Sequence, residues 1–173
     1  HSRHRERGNY IVGPMARYSL NFDLLPGAVA DAARSAGLGP VCRNPFQSIV
    51  VRCVEMLYAA DEALRLIDAY EPPPPAPALT PRVAAGSGWS EAPRGMLWHR
   101  YELDREGRIS KARIVPPTSQ NQAIIEDDLR DLVERNIQLA DAQLQHKCEQ
   151  SIRNYDPCIS CATHFLKLDV QRH

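Results

Sequence analysis

Two cysteines and a histidine near the end of the sequence have the types and the spacing of metal ligands. Cys158, Cys161 and His164 are each separated by two residues. Thiolate and imidazole are soft or borderline donors, and two intervening residues allow a turn tight enough for such side chains to bind one ion. The segment therefore predicts a metal bound by thiolates.

The residues alone leave three interpretations of this segment open. It could hold two reduced core cysteines beside an incidental histidine. It could be a structural zinc site with Cys148 or His146 as the fourth ligand. It could also be half of a larger thiolate centre, completed by ligands outside the chain. A second Cys-x2-Cys or a His-x3–5-His pair, which a zinc site usually needs, is absent from the sequence, and this favours the third interpretation.

Composition limits the class of protein. The chain has 173 residues, 43% apolar and 24% charged, which is ordinary for one soluble domain, so we expect a single unit over 1–173. The 21 basic and 21 acidic residues balance, which argues against nucleic acid as a partner. No apolar run approaches the roughly 20 residues of a membrane-spanning helix.

The five cysteines and the start of the chain indicate a compartment. The sequence begins without Met and without an apolar segment, so we expect residues 1–7 not to be a signal peptide and the chain to be part of a longer one. An odd number of cysteines without a secretory signal indicates a reducing cytoplasm with metal ligation as the main use of thiols. Cys42 and Cys53 are expected to be structural, since Cys53 lies on an apolar helix face.

The pattern along the chain predicts a mainly α protein with a small antiparallel β-sheet (α+β). Helices are expected at 26–36, from an Asn44 N-cap to just before Pro72, at 124–135 and at 141–153. Strands are expected at 96–102 and 108–115, with a turn at 104–107. Residues 8–23 and 86–95 are expected to be loops, 116–121 to interrupt regular structure, and 72–81 to be a stiff proline-rich connector. The long helix should bury an apolar stripe: Val50, Cys53, Val54, Leu57, Leu64 and Ile67.

Four segments resemble motifs of the nickel–iron hydrogenase large (alpha) subunits, in the family's order and over nearly the whole chain. The segment at 154–164 is similar to the family's D-P-C-x-x-C-x-x-H motif, and the segment at 91–95 is similar to its E-A-P-R-G motif. The residues around Gln120-Asn121 and within 156–164 are most similar to the cytoplasmic NAD(P)-linked and sulfhydrogenase group. The four segments are residues 10–17, 91–95, 115–121 and 154–164.

The resemblance implies roles for individual residues. Cys158 would be a terminal nickel ligand and Cys161 the bridge between nickel and an iron that carries cyanide and carbon monoxide. Arg94 would be suspended over the open coordination position, with Asp156 orienting it. The remaining matches are Thr118 and Pro117 beside a cyanide, and His164 with the Ile114 carbonyl as ligands of a nearby magnesium or iron ion. His99, on a predicted strand, is expected to be structural.

The implied function is reversible oxidation of H2 by the C-terminal part of the large-subunit fold. Electrons would pass to a small iron–sulfur subunit and then to flavin and NAD(P) subunits. Nickel chaperones and a maturation protease would be further partners, the protease removing a tail at 165–173. The family's R-x-C-x-x-C motif is absent, so the chain alone would be inactive.

Two other classes stay open as alternatives. One is a metal-free energy-coupling subunit of the respiratory complex I type, which shares the fold. The other is a structural zinc-binding interaction domain. The retained Cys158, Cys161 and His164 argue against the first, and the lack of a second ligand pair argues against the second.

Overall fold

The structure is a computed structural model that describes residues 2–76, 78, 80, 82–157 and 169. In this part of the chain five α-helices accompany one three-stranded antiparallel sheet, which confirms the predicted fold class. The elements in chain order are α1 (Pro14–Asn21), α2 (Gly27–Ser35), α3 (Ser48–Asp68), β1 (Ala84–Ala92), β2 (Gly95–Leu103), β3 (Ile109–Val115), α4 (Pro117–Asn136) and α5 (Asp141–Asn154).

The first three helices pack into the apolar core. The prediction of a loop at 8–23 was wrong for its second half, because Pro14 begins α1 and a 3₁₀ turn follows it at Phe22–Leu24. Proline suits the first helical turn, where its missing N–H costs nothing. The ring centroids of Tyr18 and Phe22, one turn apart, lie 5.4 Å from each other in an edge-to-face arrangement. The core residues are Met15, Tyr18, Phe22, Val29, Ala30, Ala33, Leu38, Cys42, Val51 and Val54.

Helix α3 is buried only along its first half. Asn44 does accept a hydrogen bond from the Phe46 N–H, but it caps a short 3₁₀ turn that precedes α3 rather than α3 itself. The predicted apolar stripe is buried at Val54, whereas Leu64 is 65% exposed and Ile67 is 71% exposed. Leu57 is also exposed, and so is Cys53, which was expected on a buried face. The described helices do not extend far enough to cover the second half of α3.

The sheet has the order β1-β2-β3, and its first strand was not predicted. Residues 86–95 were expected to be a loop because glycine and serine disfavour strands. Pairing with β2 overrides that preference from Ala84 to Ala92, and a two-residue turn of Pro93 and Arg94 joins the strands. The predicted hairpin between β2 and β3 is confirmed, with the Asp104 carboxylate accepting the Arg108 N–H over 2.9 Å.

The last two helices agree with the prediction except at the start of α4. This helix begins at Pro117, seven residues before the predicted Ile124. Polar residues of its first turn are buried because their side chains bind backbone groups, and sequence patterns read such residues as loop. The prediction for α5 differs by one residue. Described positions between 72 and 80 carry no helix or strand, and no helix among the described residues is long and apolar enough to cross a membrane.

Two glycines allow the chain to cross itself beside the β1–β2 turn. Gly13 has φ +100° and Gly95 has φ +131°, a region that residues with a Cβ disfavour. A Cβ on Gly13 would lie 2.4 Å from the Arg94 carbonyl oxygen, and a Cβ on Gly95 would lie 2.8 Å from the Gly13 nitrogen. The start of α1 and the turn are therefore in direct backbone contact.

We expect Gly13→Ala to lower the free energy of unfolding by about 2–4 kcal/mol, since positive φ and overpacking each cost about 1–3 kcal/mol. Denaturant unfolding of the purified protein measures this. Gly39→Ala is the control, because nothing lies within 4 Å of a Cβ at Gly39 and its φ is not positive. Equal stability of Gly13→Ala and the parent protein would show that the crossing is loose.

Candidate functional site

The predicted site residues fall into two groups. Cys158, Cys161 and His164 lie outside the described residues, as do the predicted tail positions other than Asp169. Arg94, Asp156, Pro117, Thr118 and Ile114 are described. Among the described residues no cluster of three or more His, Cys, Asp or Glu side chains could hold a metal ion.

Arg94 and Asp156 meet although 62 residues separate them. The Arg94 Nε donates to the Asp156 backbone oxygen over 2.7 Å and lies 3.1 Å from its Oδ2, while Nη2 donates to Oδ1 over 3.4 Å. The side chains are 42% and 36% exposed, so the ion pair is half-buried. Asp156 directly precedes Pro157 and Cys158, and this contact brings Arg94 to the segment that leads into the predicted metal ligands.

The turn that carries Arg94 is bound by a second arginine, Arg17 of α1. Its Nη1 donates to the Ala92 carbonyl over 2.9 Å, and its Nη2 donates to the Pro93 carbonyl over 2.8 Å. The same guanidinium pairs with both carboxylate oxygens of Glu55 at 2.8 and 2.9 Å and with Glu91 at 2.5 Å. Burial would lower the pKa of Arg17, but the hydrogen bonds to Glu55 and Glu91 outweigh it and leave the pKa raised. Arg17 is therefore a permanent cation at the turn.

Asp156 ends helix α5 in a left-handed conformation, with φ 47°. Its N–H donates to the Arg153 carbonyl over 2.9 Å, which closes the last turn of the helix. A third arginine, Arg52 of α3, donates to the Asn154 carbonyl over 2.8 Å and places Nη1 3.6 Å from the Asp156 Oδ2. Cations near the C-terminal end of a helix also interact favourably with its macrodipole. Asp156 thus lies between Arg94 and Arg52.

Two further contacts hold the end of α5. The Ser48 hydroxyl donates to the Asn154 carbonyl over 2.5 Å, and it accepts from Arg52 over 3.1 Å. The Tyr155 hydroxyl donates to the Asp128 carboxylate of α4. Burial, together with that hydrogen bond, raises the pKa of Tyr155 far above its usual range. The phenol therefore stays protonated and remains a donor.

The first turn of α4 binds the segment before α1. The Asn121 side chain accepts from the Val12 N–H over 2.7 Å and donates to the Val12 carbonyl over 3.0 Å. Gln120, which is fully buried, donates to the Met96 carbonyl over 2.6 Å and accepts from the Tyr10 hydroxyl over 3.1 Å. These four bonds attach the segment before α1 and the start of β2 to α4, on either side of the glycine crossing.

The remaining candidates lie nearby in the fold but outside the Arg94–Asp156 contact. Pro117 is buried and Thr118 half-buried at the start of α4. Ile114 is 53% exposed on β3, opposite His99 on β2. His99 Nδ1 lies 2.6 Å from the Tyr101 hydroxyl on its own strand, in keeping with a structural histidine.

The two residues proposed as a fourth zinc ligand differ in their surroundings. Burial raises the pKa of Cys148, with Glu149 adding to the effect, and this disfavours the thiolate that a metal would need. Cys148 is 1% exposed, whereas His146 lies on the exposed side of α5. The described surroundings therefore give no support to a zinc site at α5.

A pocket opens between the turn and the end of α5. Arg94, Arg52, Asp156, Pro93 and Asn154 all line it. The Asn154 Nδ2 is buried and has no hydrogen-bond partner among the described residues. A buried donor without a partner is costly. Arg17 and Asn154 lie within the motifs at 10–17 and 154–164 but were given no role, and Arg52 lies outside the four motifs, because no local spacing links it to Arg94.

The sequence is similar to known proteins over most of its length. Residues 46–164 match the family described as nickel-dependent hydrogenase. The chain is 31% identical over 171 residues to sulfhydrogenase 1 subunit alpha of Pyrococcus furiosus, covering 97% of this chain and 40% of that protein. It is 32% identical over 174 residues to the NAD-reducing hydrogenase HoxS subunit beta of Cupriavidus necator, covering 94% of this chain and 35% of that protein.

A solved structure has the same fold. The crystal structure of an NAD⁺-reducing NiFe hydrogenase in the H2-reduced state superposes with a TM-score of 0.70 and 29% identity, covering 92% of this chain and 37% of that chain. The chain thus spans about 40% or less of the length of these relatives.

We expect Asp156→Asn and Asp156→Ala to differ in stability. Asparagine tolerates the left-handed conformation at φ 47°, whereas alanine should cost about 1 kcal/mol more. The loss of charge itself should cost about 1 kcal/mol or less, because half-exposed ion pairs are weak. Denaturant unfolding compares the two variants. Equal stabilities would show that the backbone at this position is not constrained.

Proposed function

The chain belongs to the nickel-dependent hydrogenase family, and on that premise we propose that it serves as part of a large (alpha) subunit that catalyses H2 ⇌ 2H⁺ + 2e⁻. The observation that carries the proposal is the Arg94–Asp156 contact, with the Arg94 Nε 2.7 Å from the Asp156 carbonyl. It delivers a permanent cation to the segment that continues into Cys158 and Cys161, inside the matched region.

The residues present fit a nickel–iron centre in their chemistry. Two cysteines supply the thiolates that soft metals prefer, and the adjoining pocket offers guanidinium donors and the unpartnered Asn154 Nδ2. When bound, the centre would supply the site at which H2 is polarised and split, with cyanide and carbon monoxide on the iron. His164 and the Ile114 carbonyl would hold a nearby magnesium or iron ion, and Pro117 and Thr118 would contact the diatomic ligands.

Arg94 would act as a fixed positive charge. Its Nε and Nη2 are occupied by Asp156, and Nη1 has no hydrogen-bond partner among the described residues. Guanidinium does not titrate near neutral pH, so it can stabilise developing negative charge without exchanging its own proton. Asp156 would orient it, and the Cys158 sulfur would be the proton acceptor.

The names of the relatives support a subgroup. Both a sulfhydrogenase alpha subunit and an NAD-reducing hydrogenase subunit match nearly all of this chain. We therefore assign the protein to the NAD(P)-linked group. Electrons would pass to iron–sulfur clusters of a small subunit and on to flavin and NAD(P) subunits. Nickel chaperones and a maturation protease would assemble the centre, and the other two nickel cysteines would come from outside this chain.

The metal assignment predicts that Cys158→Ser and Cys161→Ser abolish nickel retention and H2 oxidation in the complete enzyme, because a hydroxyl is a poor ligand for soft metals. Metal analysis by mass spectrometry and H2 uptake measure the two effects. Cys53→Ser, which changes an exposed thiol of α3, is the matched control. Zinc instead of nickel and iron in the parent enzyme would favour a zinc domain, and no metal would favour a complex I type subunit.

The role of Arg94 predicts that Arg94→Lys keeps both metals but lowers turnover by roughly 10²-fold, as for loss of a donor directed at the transition state. Arg108→Lys, at the other hairpin turn of the same sheet, is the control because its side chain is 74% exposed and pairs only with turn carboxylates. Loss of the metals in Arg94→Lys would make Arg94 structural. Unchanged turnover would remove it from the mechanism.

A further inference from the structure

Helix α3 is connected to both partners of the Arg94–Asp156 contact, to the end of α5 through Arg52 and to the β1–β2 turn through Glu55 and Arg17. Arg52 and Glu55 are three residues apart on this helix, so they project from one face, one turn from each other. Arg52 reaches the end of α5, and Glu55 reaches Arg17, which binds the β1–β2 turn. Their side chains are only 24% and 25% exposed.

The connection from Glu55 to Arg94 runs through Arg17. Two parallel hydrogen bonds of 2.8 and 2.9 Å join Arg17 and Glu55 in the bidentate geometry that only a guanidinium provides. The two Nη atoms of the same planar group also donate to the carbonyls of Ala92 and Pro93, the two residues before Arg94. A displacement of Arg17 would therefore move the turn, and Arg94 with it.

The connection from Arg52 to Asp156 uses backbone and side chain together. Arg52 Nη2 donates to the Asn154 carbonyl and to the Ser48 hydroxyl, while Nη1 faces the Asp156 Oδ2 at 3.6 Å. Asp156 thereby has a cation on each side. Without Arg52, its carboxylate would still be attracted to Arg94, but the Asn154 carbonyl at the end of α5 would keep only the bond from Ser48 of the two that it receives from α3.

We propose that Arg17 and Arg52 are positioning residues, which fix Arg94 and Asp156 to one face of α3 and so set where the Arg94 guanidinium stands. The catalytic consequence rests on the proposed hydrogenase function; the positioning itself does not. Neither arginine is itself a predicted metal ligand, and both act through the residues they hold.

Ordinary surface ion pairs on the same helix have a different character. Arg65 pairs with Glu62 one turn away, and its side chain is 63% exposed. Among the described residues Arg65 makes side-chain hydrogen bonds only to Glu62 of its own helix, and such pairs contribute little to stability. Arg65→Gln is thus a matched control for the loss of one guanidinium from α3.

The test compares Arg17→Gln, Arg52→Gln and Arg65→Gln in the complete enzyme. Peptide-resolved hydrogen–deuterium exchange reports local opening without depending on turnover. Arg17→Gln should speed exchange roughly tenfold at residues 92–96 and leave 153–157 unchanged; Arg52→Gln should do the reverse. Both should lower kcat by roughly 10- to 100-fold with metal content preserved, because small misplacements of a catalytic group are costly. Arg65→Gln should match the parent enzyme in both measurements.

Each outcome decides a separate question. Unchanged exchange at both segments, or faster exchange throughout the protein, would overturn the positioning roles. Faster exchange confined to the expected segment, together with an unchanged kcat, would show that these positioning roles do not affect catalysis. If a Gln variant does not assemble, the corresponding Lys variant decides, since it keeps the charge but not the fork and should show the same local pattern. A parent enzyme that does not oxidise H2 would sink the proposed function while leaving the exchange test valid.

Discussion

The backbone crossing of Gly13 and Gly95 is the constraint on which the site depends. Because neither residue has a Cβ, the start of α1 can lie against the β1–β2 turn at a separation that any side chain would prevent. Only at that separation does Arg17, one turn into α1, reach the carbonyls of Ala92 and Pro93. The bonds of Gln120 and Asn121 then hold the two crossing segments together.

Three arginines satisfy carbonyl groups that secondary structure leaves without partners. A helix cannot bond its last carbonyls internally, and a tight turn exposes its own. Arg17 binds the turn, Arg52 binds the Asn154 carbonyl, and Arg94 binds the Asp156 carbonyl. Half-exposed ion pairs alone would be weak. Bonds from a charged donor to oriented carbonyls add direction, so the network determines geometry more than it contributes stability.

The sequence predicted the structural features that depend on residues close together in the chain. The hairpin turn at Asp104 and helix α5 could be predicted from local spacing, whereas the pairing of Arg94 with Asp156 was implied by the resemblance to the hydrogenase large subunits. Strand β1 could not, since its glycines and serines form a strand only through pairing with β2. Arg17 and Arg52 could not either, because their partners lie 75 and 102 residues away for the Ala92 and Asn154 carbonyls. The second half of the stripe on α3 has the right periodicity, but burial requires a neighbour that periodicity does not specify.

The separation of Arg94 from Asp156 along the chain gives the site an order of assembly. Domains form progressively as the chain leaves the ribosome, N-terminal part first. Arg17 and Glu55 are 38 residues apart, so α1 can join α3 early, whereas Asp156 must wait for a further 62 residues after Arg94. Closing so long a loop is slow compared with local contacts. The contact between Arg94 and Asp156 therefore closes a longer loop than the contact between Arg17 and Glu55, and we expect it to form later.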